Sequence, residues 1–334
     1  MLTFFRIHCI VSGIFYTVSG LVYNSRIPFA SFMRLIHDWC NRYCNLLILW
    51  QRTFVFPPFL VSGFMIGIFD SGVGGMTVAK AVEQLLPQYR IAYFGDLART
   101  PYGSKSPETI IAYARQNTEF LLSQGAKIII VACNTAASVA AEILQQEFSV
   151  PIFEVITPAV NKAVAASRSG RIGVIGTRAT IKSGVYEKKI LAEQPKYTVY
   201  SQACPLLVPL VEEGWLNKRE TKMILRRYLQ PLRLRQVDTF VLGCTHYPLL
   251  KDLIQPRIGK RVEIIDSSEV VAESLALFLA NNPDIEQQLE RNGESHYYVS
   301  DVTDAAVDIA RKVFGRSIAL EKVASDIFNR SHLS

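Results

Sequence analysis

The sequence predicts an α/β fold: two similar parallel-sheet α/β domains with a binding cleft between them. Two observations carry this reading. From Met65 onward, apolar β-branched runs alternate with helical patterns, as expected for parallel strands joined by helical crossovers. The alternation then repeats. Strand-end landmarks fall at 70, 96, 133 and 154, and again at 176, 204, 244 and 266, with offsets of 106, 108, 111 and 112 residues. So slow a drift suggests two copies of one unit.

The elements follow in order. "MIGIFDSG" reads as a strand, and "MTVAKAVEQLLP" as a helix stopped by Pro87. "RIAYFGD" is the next strand. "SPETIIAYARQNTEFLLSQG" is a helix with Ser106 as cap, Pro107 at its first position and Gly125 at its end. "KIIIVA" is the third strand, its helix runs over 134–147, and "VPIFEV" is the fourth. In the second half "RIGVIGT" is a strand followed by a helix capped by Thr177 or Thr180. "KYTVYSQ" is a strand and "NKRETKMILRRYLQPL" a basic helix, whose Arg226, Arg227, Arg233 and Arg235 read as a solvated face. "TFVLGC" and "RVEIIDSS" complete the set.

At 334 residues, 49% hydrophobic and 19% charged, the chain is globular and long enough for two domains. Of its net charge of +7, residues 1–64 carry +4, with no Lys and no Glu, and they hold 14 of the 35 aromatics. The excess thus lies largely outside the folded body, and no nucleic-acid partner is expected. Ile7–Ser25 has no charged residue and loosely resembles a signal peptide or membrane span. The preferred reading takes 1–64 as an atypical extension upstream of a true start at Met65; a targeting or regulatory extension is the alternative. No membrane partner is expected for 65–334. Within the body, Cys133, Cys204 and Cys244 show no Cys-x-x-Cys and no Cys/His ligand spacing. That argues against a disulfide framework and a metal site, and free thiols fit the reducing cytoplasm.

Cys133 ends the third strand of the first half, and Cys244 ends the third strand of the second. Each is followed by a hydrogen-bonding pair, Asn134-Thr135 and Thr245-His246. Ligands of open parallel sheets bind beyond the carboxyl ends of the strands, so two facing halves would bring both thiols to one cleft. Both cysteines precede a helix, whose dipole is expected to favour the thiolate. A thiolate and a thiol on opposite sides of a substrate form the base and acid that inversion at carbon needs. A redox pair and a single nucleophile are the alternatives. Around them, Asp70 and Ser71 precede Gly72, Gly74 and Gly75, backbone suited to an anion but neither GxGxxG nor a Walker loop. Pro101-Tyr102-Gly103-Ser104 forms a polar turn, Glu212 and Glu213 an acidic pair, and His246 a proton-handling neighbour of Cys244.

Taken in order, "GIFDSGVGG", "DLARTPYGSKS", "ACNTAAS", "CPLLVPLVEEG" and "LGCTHYPLL" strongly resemble glutamate racemases of the cofactor-independent aspartate/glutamate racemase superfamily. The resemblance covers roughly Met65 to Gly315. It implies two α/β domains with the active site between them: residues 65–159 plus about 270–320, and residues 160–269. It further implies interconversion of L- and D-glutamate for peptidoglycan, without cofactor or metal. Cys133 would act towards the D enantiomer and Cys244 towards the L enantiomer, assisted by Asp70, His246 and Glu212, the last favoured over Glu213. Asp70, Ser71, Tyr102, Gly103, Asn134, Thr135, Thr245 and His246 would bind the amino acid. A homodimer is the expected assembly. The rivals are a racemase of aspartate or a hydantoin, and a binding protein that has kept the fold.

Overall fold

A computed structural model describes residues 64–323 in full and the backbone pairing of 2–11 and 14–24. The chain divides into two units between Leu60 and Val61. In the first, β1 (Leu2–Val11) runs antiparallel to β2 (Ile14–Asn24), with Val11 opposite Ile14. The stretch that resembled a signal peptide or span falls mostly on these strands. Among the described residues no helix is long and apolar enough to cross a membrane. Residues 25–63, which hold the rest of the proposed extension, lie outside the described residues.

The second unit begins with β3 (Met65–Asp70), α1 (Met76–Leu85), β4 (Ile91–Gly95), α2 (Pro107–Ser123), β5 (Ala126–Val131), α3 (Asn134–Glu147), β6 (Ile152–Glu154) and α4 (Ile156–Ala166). All six residues of β3 are buried, as befits a parallel strand covered on both faces. Ser106 caps α2 by accepting from Thr109 N, with Pro107 in the first turn, as the sequence signalled. The second half follows with β7 (Arg171–Gly176), α5 (Arg178–Ser183), α6 (Val185–Glu193), β8 (Thr198–Ala203), α7 (Leu207–Glu212), α8 (Arg219–Leu234), β9 (Thr239–Gly243), α9 (Lys251–Ile258), β10 (Glu263–Asp266) and α10 (Ser267–Asn281). Thr177, not Thr180, caps α5: its Oγ1 accepts from Thr180 N at 3.2 Å.

Strand order makes the duplication plain. The first sheet runs β4-β3-β5-β6 and the second β8-β7-β9-β10, so each half orders its strands second, first, third, fourth, all parallel. After α11 (Pro283–Glu286) the chain returns to the first sheet. There β11 (His296–Val299) pairs with β4, and β12 (Glu321–Lys322), beyond α12 (Asp304–Phe314), pairs with β11.

Packing joins the halves. One buried cluster centres on the first sheet and takes in Ile172, Val174, Tyr186, Ile190 and Val241 from the second half. A smaller cluster sits between the second sheet and α7–α9, where α8 buries Leu225, Leu229 and Leu232 along one face. Each such side chain contributes about 1.5–3 kcal/mol of transfer free energy. The cleft walls are therefore anchored in packed cores on both sides.

Candidate active site

In a sheet of order second-first-third-fourth, the connections that leave the first and third strands run in opposite directions, and a crevice opens at the carboxyl ends between those two strands. In the first half that point lies between Asp70-Ser71, ending β3, and Cys133, following β5. In the second it lies between Thr177, following β7, and Cys244, following β9. Both crevices open into one cavity of about 530 Å³, lined by Ser71, Cys133, Asn134, Thr135, Thr177, Glu212, Cys244, Thr245 and His246 among others. The two thiols thus share a cleft.

Cys133 is buried at the N-cap of α3, where its sulfur accepts from Ala136 N at 3.5 Å and donates to Ser71 Oγ at 3.4 Å. The helix dipole was expected to favour a thiolate here. The structure corrects that for Cys133: burial, reinforced by the nearby Asp70 carboxylate, pushes its thiol up to about 12 despite those hydrogen bonds. At neutral pH Cys133 therefore keeps its proton.

Cys244 has a different neighbourhood. Its sulfur lies 3.8 Å from His246 Nδ1, and His246 Nε2 lies 3.2 Å from Glu212 Oε1. Burial works to lower the imidazole, but its bonds to Cys244 and Glu212 outweigh burial and hold it at about 10. Of the acidic pair, Glu212 at the end of α7 reaches His246 and lines the cleft, while Glu213 is exposed outside it. Asp70, fully buried, accepts from Gly72 N at 2.9 Å and from Thr245 Oγ1 at 3.1 Å, a bond that crosses the two halves. Burial raises its carboxyl, opposed by His246 and by these hydrogen bonds.

Comparison with known proteins identifies the family. The Asp/Glu/Hydantoin racemase family matches residues 76–275. A glutamate racemase of Geobacter metallireducens is 47% identical over 250 residues, covering 75% of this chain and 92% of that protein. The chain belongs to the Asp/Glu/Hydantoin racemase family. Within it the chain stands with the glutamate racemases, which are amino-acid isomerases. Solved structures agree. A glutamate racemase isoform from Bacillus anthracis superposes with a TM-score of 0.74 at 35% identity, covering 78% of this chain and 98% of that one. The Francisella tularensis glutamate racemase in complex with D-glutamate gives 0.72 at 35% identity, with the same coverage.

Tyr102 lines the racemase cleft, with its hydroxyl donating to Asp96 Oδ2 and accepting from Asn117 Nδ2. Gly103, just past the cis Thr100–Pro101 peptide, leaves backbone exposed and packs closely on Thr177. Thr135 Oγ1 lies 2.9 Å from Thr177 Oγ1 and 3.3 Å from Thr180 Oγ1, again across the halves. The sequence reading used Thr177 only as a cap and did not single out Arg178, Lys182 or Pro205, which also line the cleft. It also passed over Tyr186, buried on α6, whose hydroxyl donates to Asn134 Oδ1 at 2.6 Å. A lone tyrosine one residue into a weakly amphipathic helix gives no local signal. Among the described residues, no three His, Cys, Asp or Glu side chains gather as metal ligands would.

Proposed function

We propose that the protein interconverts L- and D-glutamate without a cofactor, with Cys133 and Cys244 as acid and base on opposite faces of the α-carbon. The observation that carries this reading is the pair of thiols at equivalent strand ends sharing one cavity. The relatives named above, and the D-glutamate in the Francisella complex, support the choice of substrate.

In the L-to-D direction, Cys244 as thiolate takes the α-proton. The C–H electron pair stays on carbon and spreads into the α-carboxylate, and the sulfur becomes a thiol. Cys133 delivers its own proton to the opposite face, leaving D-glutamate and a Cys133 thiolate. A Cys133 that keeps its proton at neutral pH suits this role. His246, charged up to about pH 10, is the counter-charge for the Cys244 thiolate, and Glu212 steadies it. The reverse direction needs a Cys133 thiolate, which Asp70 opposes. Asp70 lies behind the cavity lining, next to Ser71, so a substrate ammonium at Ser71 would offset that carboxylate's charge through space, and binding itself would ease the ionisation. Ser71, Asn134, Thr135 and the backbone at Tyr102, Gly103 and Thr245 supply pre-placed hydrogen bonds that hold the two carboxylates, and those that strengthen as charge spreads into the α-carboxylate lower the cost of the transition state. The cleft then lies between one domain of 65–159 plus about 270–320 and another of 160–269. The setting proposed is cytoplasmic, as a homodimer, supplying D-glutamate to peptidoglycan synthesis.

The test is racemisation of L-glutamate by purified protein with no pyridoxal phosphate or metal added, followed by circular dichroism. In deuterated water, early product should carry deuterium at the α-carbon while remaining substrate stays protiated. Absence of turnover refutes the activity, and equal early labelling of both pools refutes the two-base mechanism.

A further inference from the structure

Asn134 leaves one polar atom unaccounted for. The residue is 2% exposed, and its Nδ2 has no hydrogen-bond partner, although Oδ1 accepts from the Tyr186 hydroxyl at 2.6 Å. Buried amide donors in folded proteins are nearly always paired, because an unpaired one forfeits its bond to water. Asn134 lines the cleft, so the missing acceptor is expected from whatever enters it.

An asparagine amide has an acceptor end and a donor end of nearly the same shape, and its neighbours decide which end faces where. Tyr186 makes that decision here. Its ring is buried on α6, and Gly243 leaves room for it: a Cβ there would come within 3.2 Å of Tyr186 Cε2. Burial, with Glu154 and Cys244 nearby, holds the phenol well above its ordinary range, so it remains a donor at any working pH. Donating to Oδ1, the hydroxyl leaves Nδ2 turned away from itself. Asn134 starts α3 in the first half while Tyr186 sits in the second, so this alignment exists only while the two halves are together.

We propose that Tyr186 is a positioning residue of the racemase: by donating to Asn134 Oδ1 across the two halves, it presents Asn134 Nδ2–H to a carboxylate oxygen of the bound amino acid. This rests on the glutamate reading above. The role is in binding, shared by ground and transition states, so its loss should appear mainly in KM.

The experiment is a double-mutant cycle on the full chain, with racemisation measured in both directions. Tyr186→Phe removes only the hydroxyl and should raise KM for both enantiomers about tenfold, with kcat changed by less than about twofold. In an Asn134→Ala background the same substitution should change KM by less than about twofold, because Tyr186 acts through Asn134. A purely structural Tyr186 would cost the same factor in both backgrounds, and that additivity overturns the proposal. An unaltered KM in Tyr186→Phe does so as well. If that variant does not fold, the test passes to the unaltered protein. The Asn134 side-chain amide resonance, assigned by its loss in Asn134→Ala, should shift when glutamate is added, and a fixed resonance overturns the proposal. Unaltered protein that fails to turn over glutamate refutes the parent reading; turnover with an additive cycle refutes the Tyr186 role alone.

Discussion

Gly74 and Gly72 stand two residues apart in one loop, yet a methyl group should have opposite consequences at each. A Cβ on Gly74 would sit 2.4 Å from His246 Nδ1, 2.6 Å from His246 Cε1 and 2.5 Å from Thr245 Oγ1. Ordinary contact begins near 3.4 Å, so Gly74→Ala must displace the imidazole by roughly 1 Å. His246 is 4% exposed, and the open space beside it is the cleft that it lines, so an imidazole pushed aside moves into the site itself. The nitrogen pushed is the one facing Cys244 Sγ at 3.8 Å, and Thr245 Oγ1 is the donor to Asp70. A misplacement of that size costs about 100-fold in rate, with overpacking costing about 1–3 kcal/mol in stability. On Gly72 the nearest atoms to a Cβ are Thr100 Oγ1 at 3.5 Å and Glu212 Oε1 at 4.0 Å, which is ordinary contact. Gly72→Ala should keep activity within about twofold and stability within about 0.5 kcal/mol. The assay is kcat/KM from both enantiomers, beside thermal melting of each variant. Enantiomers have equal free energy in water, so kcat/KM must fall by the same factor in both directions, which checks the data internally. A folded Gly74→Ala protein with normal kcat/KM, or a Gly72→Ala protein equally damaged, would refute the reasoning.

Three further outcomes are expected. Replacing either Cys133 or Cys244 by Ala should remove racemisation in both directions by at least about 1,000-fold, since inversion needs both partners; a folded single variant that still racemises normally would exclude the pair. Glu212→Gln keeps an acceptor for His246 Nε2 but removes the negative charge that helps hold His246 up at about 10 against burial, so the imidazole should titrate at lower pH and the alkaline limb of the rate profile should follow. Imidazole NMR measures the shift, and Glu213→Gln, exposed outside the cleft, should leave both observables unchanged. Chelators should leave turnover intact, and thiol alkylation should abolish it with glutamate protecting; inhibition by a chelator that added metal reverses would count against the assignment.

Both sheets were legible because their signals are local. β-branched runs, a Ser-Pro helix start and matched strand ends need no knowledge of distant neighbours. The choice of Glu212 over Glu213 became clear only from where α7 ends, since side chains one residue apart on a helix point in different directions. Two features were illegible for a deeper reason. The upward push on Cys133 comes from burial in the folded core and from Asp70, 63 residues away, whereas the sequence offered only the helix that follows it. Tyr102 sits in the expected turn, but what its hydroxyl meets depends on Asp96 and Asn117, brought together by β4 and α2. Tertiary electrostatics and hydrogen-bond choices of this kind are not encoded in local spacing.

The repeated strand order bears on a problem of handedness. A protein of L-residues cannot present mirror-image walls to mirror-image substrates. A same-handed unit used twice offers a substitute, because turning a flat molecule over by half a turn exchanges its two sides without any reflection. A carbon flattened between equivalent strand ends would meet the same kind of sulfur whichever side it showed. The two ends are not furnished alike, however: one sulfur has Ser71 beside it and the other His246. Duplication can account for the opposed sulfurs, and later divergence for the different company each keeps. On the two-thiol mechanism proposed above, a descendant of this architecture that lost one sulfur is expected to bind both mirror forms while inverting neither.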